Sequence, residues 1–198
     1  MAKNVAIFVF DEVEVLDFAG PFEIFAVTGQ RSGGPAPFNV YTVAEKAGLI
    51  HTRNNLQVQP HYTFDDCPPP DILVIPGGYG SRVAMRNPAV VEWIRRQNQT
   101  TELTTSVCTG ALILATAGLL DGLHATTHYG AYDLLGELAP DTTVVRGVRY
   151  VDNGRIITSA GVQAGMDMAL HVVARELGEE AARETAHYIE YQWEPETA

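Results

Sequence analysis

The chain has 198 residues, 46% hydrophobic and 19% charged, which is enough length for one good core and an ordinary globular balance. A formal net charge of −11 and a pI near 4.8 argue against nucleic acid or an anionic membrane as partner through general electrostatics. Cys67 and Cys108 are too few for a disulfide framework and lack companions at metal-finger spacing, and no apolar run is long enough to cross a bilayer.

The N-terminal MAKNVAIFVFDE has no signal-peptide pattern, because acidic residues follow the apolar stretch at once, and a cytoplasmic chain of one domain, residues 1–198, is expected. Residues 4–10 form a continuous apolar run, as in a strand buried on both faces of a parallel sheet. Residues 14–28 read as a helix with Pro21 in its first turn, and 29–37 as a loop. A strand follows at 38–44. Residues 49–60 suggest a hairpin with Asn54-Asn55 in left-handed turns, and 64–70 a Pro-rich connection. Residues 71–75 form a third core strand ending in Pro76-Gly77-Gly78-Tyr79-Gly80. Asn87-Pro88 opens a helix reaching about Gln99, with Val91, Trp93 and Ile94 inward.

Residues 103–107 read as a strand, and after Cys108 a helix runs to Ala117 with Gly118 as its cap. Beyond it come a short strand at 124–127, a helix at 129–138 and strands at 143–145 and 149–158, the last bent at Asn153-Gly154. Helices at 166–177 and 179–188 close the chain around Gly178. Strands alternating with helices predict a doubly wound, mostly parallel α/β sheet with helices on both faces. Ligands in such sheets bind at the carboxyl ends of the strands, which gathers 11–17, 77–80, Cys108, Thr109 and His128 together.

Cys108, between a strand and a helix and followed by Thr109-Gly110-Ala111, fits a nucleophile elbow, where the helix dipole favours thiolate. A lone cysteine in an apolar stretch is equally at home in the core. Asp17, among apolar neighbours, is either a helix cap or a carboxyl of raised pKa that exchanges protons with something bound at Cys108. Gly77 and Gly78 allow backbone to approach a ligand and offer amides to an oxyanion, or simply make a turn. They are no phosphate loop. Thr109 offers its hydroxyl and amide at the elbow, or only begins the helix. His128 is either a buried, satisfied histidine or a site residue. The remaining histidines are scattered and suggest no metal, and Asp167 reads as a helix-start residue.

Taken together, Leu16-Asp17-Phe18-Ala19-Gly20-Pro21, Ile75-Pro76-Gly77-Gly78, Ser106-Val107-Cys108-Thr109-Gly110-Ala111, Ala125-Thr126-Thr127-His128 and the Ala160-Gly161 segment resemble the ThiJ/PfpI superfamily over nearly the whole chain. That resemblance implies a flavodoxin-like, glutamine-amidotransferase-type fold with Cys108 as nucleophile, Asp17 as its proton-handling partner, Thr109 adjacent, and amides near Gly78 and Thr109 that cradle charge. Within the superfamily the pattern is most similar to the isocyanide-hydrating branch, and also to the sensor domain of AraC-type regulators. Thr109 stands where peptidase-like members have histidine, against a Cys-His dyad. The resemblance thus implies a cofactor-free enzyme turning a small isocyanide into an N-substituted formamide, as a homodimer. Other activities of the superfamily (amidase, glyoxalase-like, deglycase-like) and non-enzymatic sensing of small molecules or oxidants are the alternatives.

Overall fold

The computed structural model describes residues 2–30 and 33–195. Met1, two residues of the expected 29–37 loop (Arg31 and Ser32) and 196–198 lie outside the described residues. In chain order the elements are β1 (Lys3–Phe8), α1 (Val15–Val27), β2 (Phe38–Ala44), β3 (Ile50–His51), β4 (Gln57–Val58), β5 (Tyr62–Thr63), β6 (Ile72–Ile75), α2 (Ser81–Ala84) and α3 (Pro88–Asn98). Then come β7 (Leu103–Val107), α4 (Gly110–Thr116), β8 (His124–Ala125), α5 (Tyr132–Leu138), β9 (Thr143–Val144), β10 (Tyr150–Asp152), β11 (Ile156–Ser159), α6 (Ala164–Leu177) and α7 (Glu179–Tyr188).

The central sheet runs β10-β11-β7-β6-β1-β2-β5, with every pair parallel except β10 against β11. Its long parallel strands, counted in chain order, lie 2-1-3-4-5, the doubly wound order of flavodoxin-like folds. The direction of winding reverses between β1 and β6, so the loops leaving their carboxyl ends part and open a crevice. Alternation along β1 explains its unbroken apolar run. Val5 and Ile7 pack among Ile24, Phe25, Leu170 and Val173 of α1 and α6, while Ala6 and Phe8 pack among Trp93, Ile94 and Leu112 of α3 and α4. Each buried valine, leucine, isoleucine or phenylalanine among these contributes about 1.5–3 kcal/mol. Covered on both faces, β1 from Val5 onward and all of β6 carry only apolar residues, while the half-buried Lys3 and Asn4 begin β1 at the sheet's end.

Boundaries differ from expectation where hydrogen bonds decide them. Pro21 does not occupy a first turn: α1 starts at Val15, so Pro21 is its seventh residue and lies buried inside it. Apolar burial there outweighs the missing amide. The 129–138 helix is a short 3₁₀ turn at Tyr129–Ala131 followed by α5. β8 and β9 pair with each other outside the main sheet. The short β5 and α2 carry no clear pattern in sequence and appear only in the fold. The Asn54 and Asn55 backbone is left-handed, at φ 65° and 68°, between β3 and β4 as expected. Among the described residues no helix is long and apolar enough to cross a membrane.

Gly110, the first residue of α4, lies against the end of β6. A Cβ there would meet the Ile75 carbonyl oxygen at 2.0 Å. Gly110→Ala is therefore expected to lower stability by about 1–3 kcal/mol, read as a fall in the urea midpoint with unchanged slope.

Candidate active site

β7 delivers the chain to Cys108, whose φ of 57° turns it sharply into α4, with Thr109 as the residue before the helix. A non-glycine residue in that region is uncommon, and strain of this kind is held only where surroundings enforce it. Here the Cys108 amide donates to the carbonyls of Ser159 (3.2 Å) and Ala160 (3.1 Å), while the Thr127 hydroxyl donates to the Cys108 carbonyl at 2.7 Å. The elbow expected from sequence is present at the carboxyl end of an interior strand. Cys108 is nonetheless only 6% exposed.

Asp17 caps nothing. Glu14 is the residue preceding α1, and Asp17 lies in its first turn, fully buried, its Oδ2 accepting the Gly77 amide at 3.0 Å. Its Oδ1 is buried without a hydrogen-bond partner, and the Cys108 thiol is near enough to the carboxyl for the two to influence each other's protonation. Burial pushes the Asp17 carboxyl up to about 7, with the charge of Glu14 adding to the rise and the amides of Gly77 and Val162 and the thiol opposing it. The Cys108 thiol is pushed up to about 12, first by burial and then by the Asp17 charge, against the Thr109 amide, which favours thiolate. The dipole of a seven-residue helix therefore loses to desolvation, and the resting group is a thiol rather than the thiolate expected.

The glycines act differently from expectation. The Gly77 amide is committed to Asp17, and the Gly78 amide donates to Thr109 Oγ1 at 3.0 Å, so neither faces an incoming charge in the resting site. Thr109 Oγ1 in turn donates to the Gly78 carbonyl at 3.1 Å and accepts from Ser81 Oγ at 3.0 Å, so its hydroxyl ties the elbow to the β6 loop and does not cap α4. Its backbone amide and, less strongly, its hydroxyl both favour charge on the sulfur. His128 is half-buried, its Nδ1 accepting the Gly130 amide at 3.2 Å and its ring packed against Gly161 and Tyr129. It flanks the loop beneath the elbow and has no described contact with the sulfur. Asp167 does lie in the first turn of α6, where it pairs with Arg149 and accepts from Tyr191 Oη at 3.0 Å. Among the described residues no group of three His, Cys, Asp or Glu gathers as metal ligands.

Residues 3–175 match the DJ-1/PfpI family model. The chain belongs to the DJ-1/PfpI family. It is 34% identical over 191 residues to the isonitrile hydratase of Pseudomonas putida, covering 96% of this chain and 79% of that one. It is 26% identical to the transcriptional regulator GbdR of Pseudomonas aeruginosa, again over 96% of this chain but only 51% of the regulator, about half its length. The crystal structure of a ThiJ/PfpI family protein from Pseudomonas syringae superposes with a TM-score of 0.87 at 29% identity, over 100% of this chain and 78% of that one.

Three contributors to this DJ-1/PfpI site escape sequence reading. Ser81 is an unremarkable serine after a glycine, yet fully buried on Thr109. Thr127 was visible only as a strand residue. Val162 adopts φ 52°, which a β-branched residue rarely does, to bring its amide towards Asp17. Only the position of Val162 just after Ala160-Gly161 hints at it.

Two outcomes follow from the Asp17–Cys108 pair. Because the Asp17 charge holds the thiol up, Asp17→Asn should shift the pH–rate curve for iodoacetamide alkylation of Cys108 to lower pH, at least about tenfold faster at pH 8. An unchanged or slower rate would contradict the coupling. The folded state binds the Asp17 proton more tightly than the unfolded chain, whose value is near 3.8. That stabilisation is complete below 3.8 and lost as pH rises through about 7. Asp17→Asn should therefore unfold at higher urea than wild type at pH 8, by at most about 4 kcal/mol, with the gap closing towards pH 4.

Proposed function

We propose that this protein hydrates small isocyanides to N-substituted formamides, with Cys108 as nucleophile and Asp17 as proton carrier. The observation that supports this most is the buried Asp17 carboxyl, raised to about 7, with one oxygen fixed by Gly77, the other without a hydrogen-bond partner, and the Cys108 thiol near the group. A carboxyl of that pKa gives and takes a proton near neutrality with little penalty either way. The thiol is too weakly acidic alone, so its proton passes to Asp17 as the sulfur attacks the terminal carbon of R–N≡C and the C–S bond forms. Asp17 then returns that proton to the same carbon, giving the thioimidate R–N=CH–S–Cys108. Water adds to this carbon, its proton passing through Asp17 to nitrogen. Collapse of the adduct breaks the C–S bond, returns a proton to sulfur and releases R–NH–CHO. The sum is one water added and the enzyme regenerated. The Thr109 amide supports the sulfur while it carries charge.

The likeness to isonitrile hydratase over 96% of the chain supports the same substrate class. In this reading residues 1–198 act as one domain, cytoplasmic and homodimeric. A second reading is favoured by the regulator likeness over 96% of the chain and by a resting Cys108 thiol that is buried and weakly acidic: a small-molecule sensor without turnover.

Formamide formation from cyclohexyl and 4-nitrophenyl isocyanide, measured by chromatography, separates the two. Wild type is expected to form formamide well above buffer, Cys108→Ala none, and Asp17→Asn about a hundredfold less or lower, although its thiol alkylates faster. No formamide from wild type across several isocyanides would end the hydratase reading and leave sensing ahead.

A further inference from the structure

A cavity of about 590 Å³ opens at the carboxyl ends of β1 and β2, on the β6 loop side, and neither Cys108, Asp17 nor Thr109 lines it. Its inner wall is aromatic and braced from behind. Phe8 and Phe10, ring centroids 5.0 Å apart, form that wall with Val90. Phe8 packs in turn on Phe64 at 5.5 Å and Trp93 at 6.1 Å, which stack on each other at 4.1 Å. At the mouth Tyr79, Val83 and Leu49 are respectively 65%, 74% and 52% exposed, so apolar surface continues from the wall into solvent. Exposed apolar side chains that rim an apolar hollow mark a place of binding. A volume of this range at the crevice where the winding reverses is the default place for a ligand in an open α/β sheet.

The charges at the rim cancel. Asp11, Glu12 and Glu45 supply three carboxylates. Lys46 and the two guanidiniums over the Tyr79 ring, Arg53 at 5.5 Å and Arg82 at 5.7 Å, supply three cations. Most of these groups are also engaged with one another or with their neighbours. Arg53 meets Glu12 at 3.0 Å, while Glu45 accepts from Asn87 Nδ2 at 2.7 Å and has Lys46 at 3.6 Å. Asp11 Oδ1 accepts the His51 amide at 2.8 Å. A ligand charged in either sense would give up hydration against the phenylalanines and find no surplus of opposite charge to replace it. An uncharged one gives up little and gains by burying its apolar surface.

The geometry points to a second ligand site here, distinct from the Cys108 site, that takes a small uncharged molecule with an aryl body. The two sites share one wall: the 77–80 segment holds Asp17 and Thr109 at Gly77 and Gly78, while Tyr79 and Gly80 line the cavity. The inference does not rest on the hydratase reading, since neither Cys108 nor Asp17 lines the cavity.

The probe is 2-(2-naphthyl)ethanol, followed by amide chemical-shift changes in the full chain near neutral pH. Its charged counterparts are 2-(2-naphthyl)ethylammonium and 2-naphthylacetate. The alcohol is expected to give saturable shifts centred on 45–50 and 79–84, in the roughly millimolar range or tighter. Each ion should bind at least about fivefold more weakly. Val83→Trp, at an exposed position, should block the mouth and cost the alcohol at least about tenfold in affinity, while leaving the alkylation rate of Cys108 unchanged. Arg82→Gln leaves the rim with one surplus negative charge, so the cation should gain about threefold while the alcohol stays the same. The proposal is overturned if the alcohol gives no saturable shifts, as when a second copy covers the mouth, or if its shifts centre on Asp17 and 106–110. It is equally overturned if either ion binds as tightly as the alcohol, if Val83→Trp leaves the alcohol's affinity intact, or if Arg82→Gln moves neither ion. Formamide formation in wild type, read separately, distinguishes failure of this site from failure of the hydratase reading.

Discussion

Three pieces of backbone meet at Gly77 with no room for a methyl group. A Cβ there would lie 2.5 Å from the Thr109 nitrogen, 2.6 Å from Thr109 Oγ1 and 2.9 Å from Asp17 Oδ2. The first turn of α1, the loop after β6 and the elbow after β7 are thereby drawn into one knot. The Gly77 amide is what makes the approach favourable, since it gives a fully buried carboxyl the partner without which burial would be costly. The 2-1-3-4-5 winding makes the knot possible. β1, β6 and β7 are consecutive in the sheet, so their three carboxyl-end loops are neighbours.

That knot also sets the proton balance. A carboxyl and a thiol share one desolvated space: burial raises both, the Asp17 charge raises the thiol further, and near neutrality the thiol keeps its proton while the carboxyl, at about 7, is half protonated. An elbow dipole alone would favour thiolate, but α4 has only two turns and the sulfur is buried. Burial wins because its cost falls on the whole charge, whereas the helix terminus offers a fraction of one. The pair is consequently quiet at rest, with the thiol protonated and the carboxyl able to titrate near neutrality.

Most of the architecture was legible because its cause is periodic. The apolar runs of β1 and β6 can only be strands covered on both faces, and Asn87-Pro88 and Gly118 mark helix ends by their own chemistry. Cys108, Asp17 and Thr109 could be gathered at one edge through their place after the carboxyl ends of core strands, β1 for Asp17 and β7 for the other two. What was not legible depends on distance in space. Whether Asp17 capped α1 or served Cys108 turns on Gly77, sixty residues away, whose amide takes the carboxyl. Likewise the Gly78 amide looked available until the Thr109 hydroxyl, thirty-one residues on, was found to occupy it. Ser81, Thr127 and the strained Val162 act through individual hydrogen bonds, two of them from Ser81, which leave no period and no composition in the sequence.

The resting hydrogen bonds of the 77–80 segment impose a last constraint. Thr109 Oγ1 takes the Gly78 amide and the Ser81 hydroxyl and donates to the Gly78 carbonyl, so the segment is fastened to the elbow by one side chain. A negative charge developing beside Cys108 meets the Thr109 amide without competition, but reaches the Gly78 amide only by displacing the Thr109 hydroxyl. Since a displaced buried donor costs about 1–3 kcal/mol, the resting geometry favours keeping that bond, which leaves the Thr109 amide and, in the proposed chemistry, proton transfer from Asp17 to control charge. A neutral, carbon-protonated intermediate suits such a site better than a long-lived oxyanion would. Under the proposed hydratase chemistry, such a site would call for a proton that follows the new C–S bond at once.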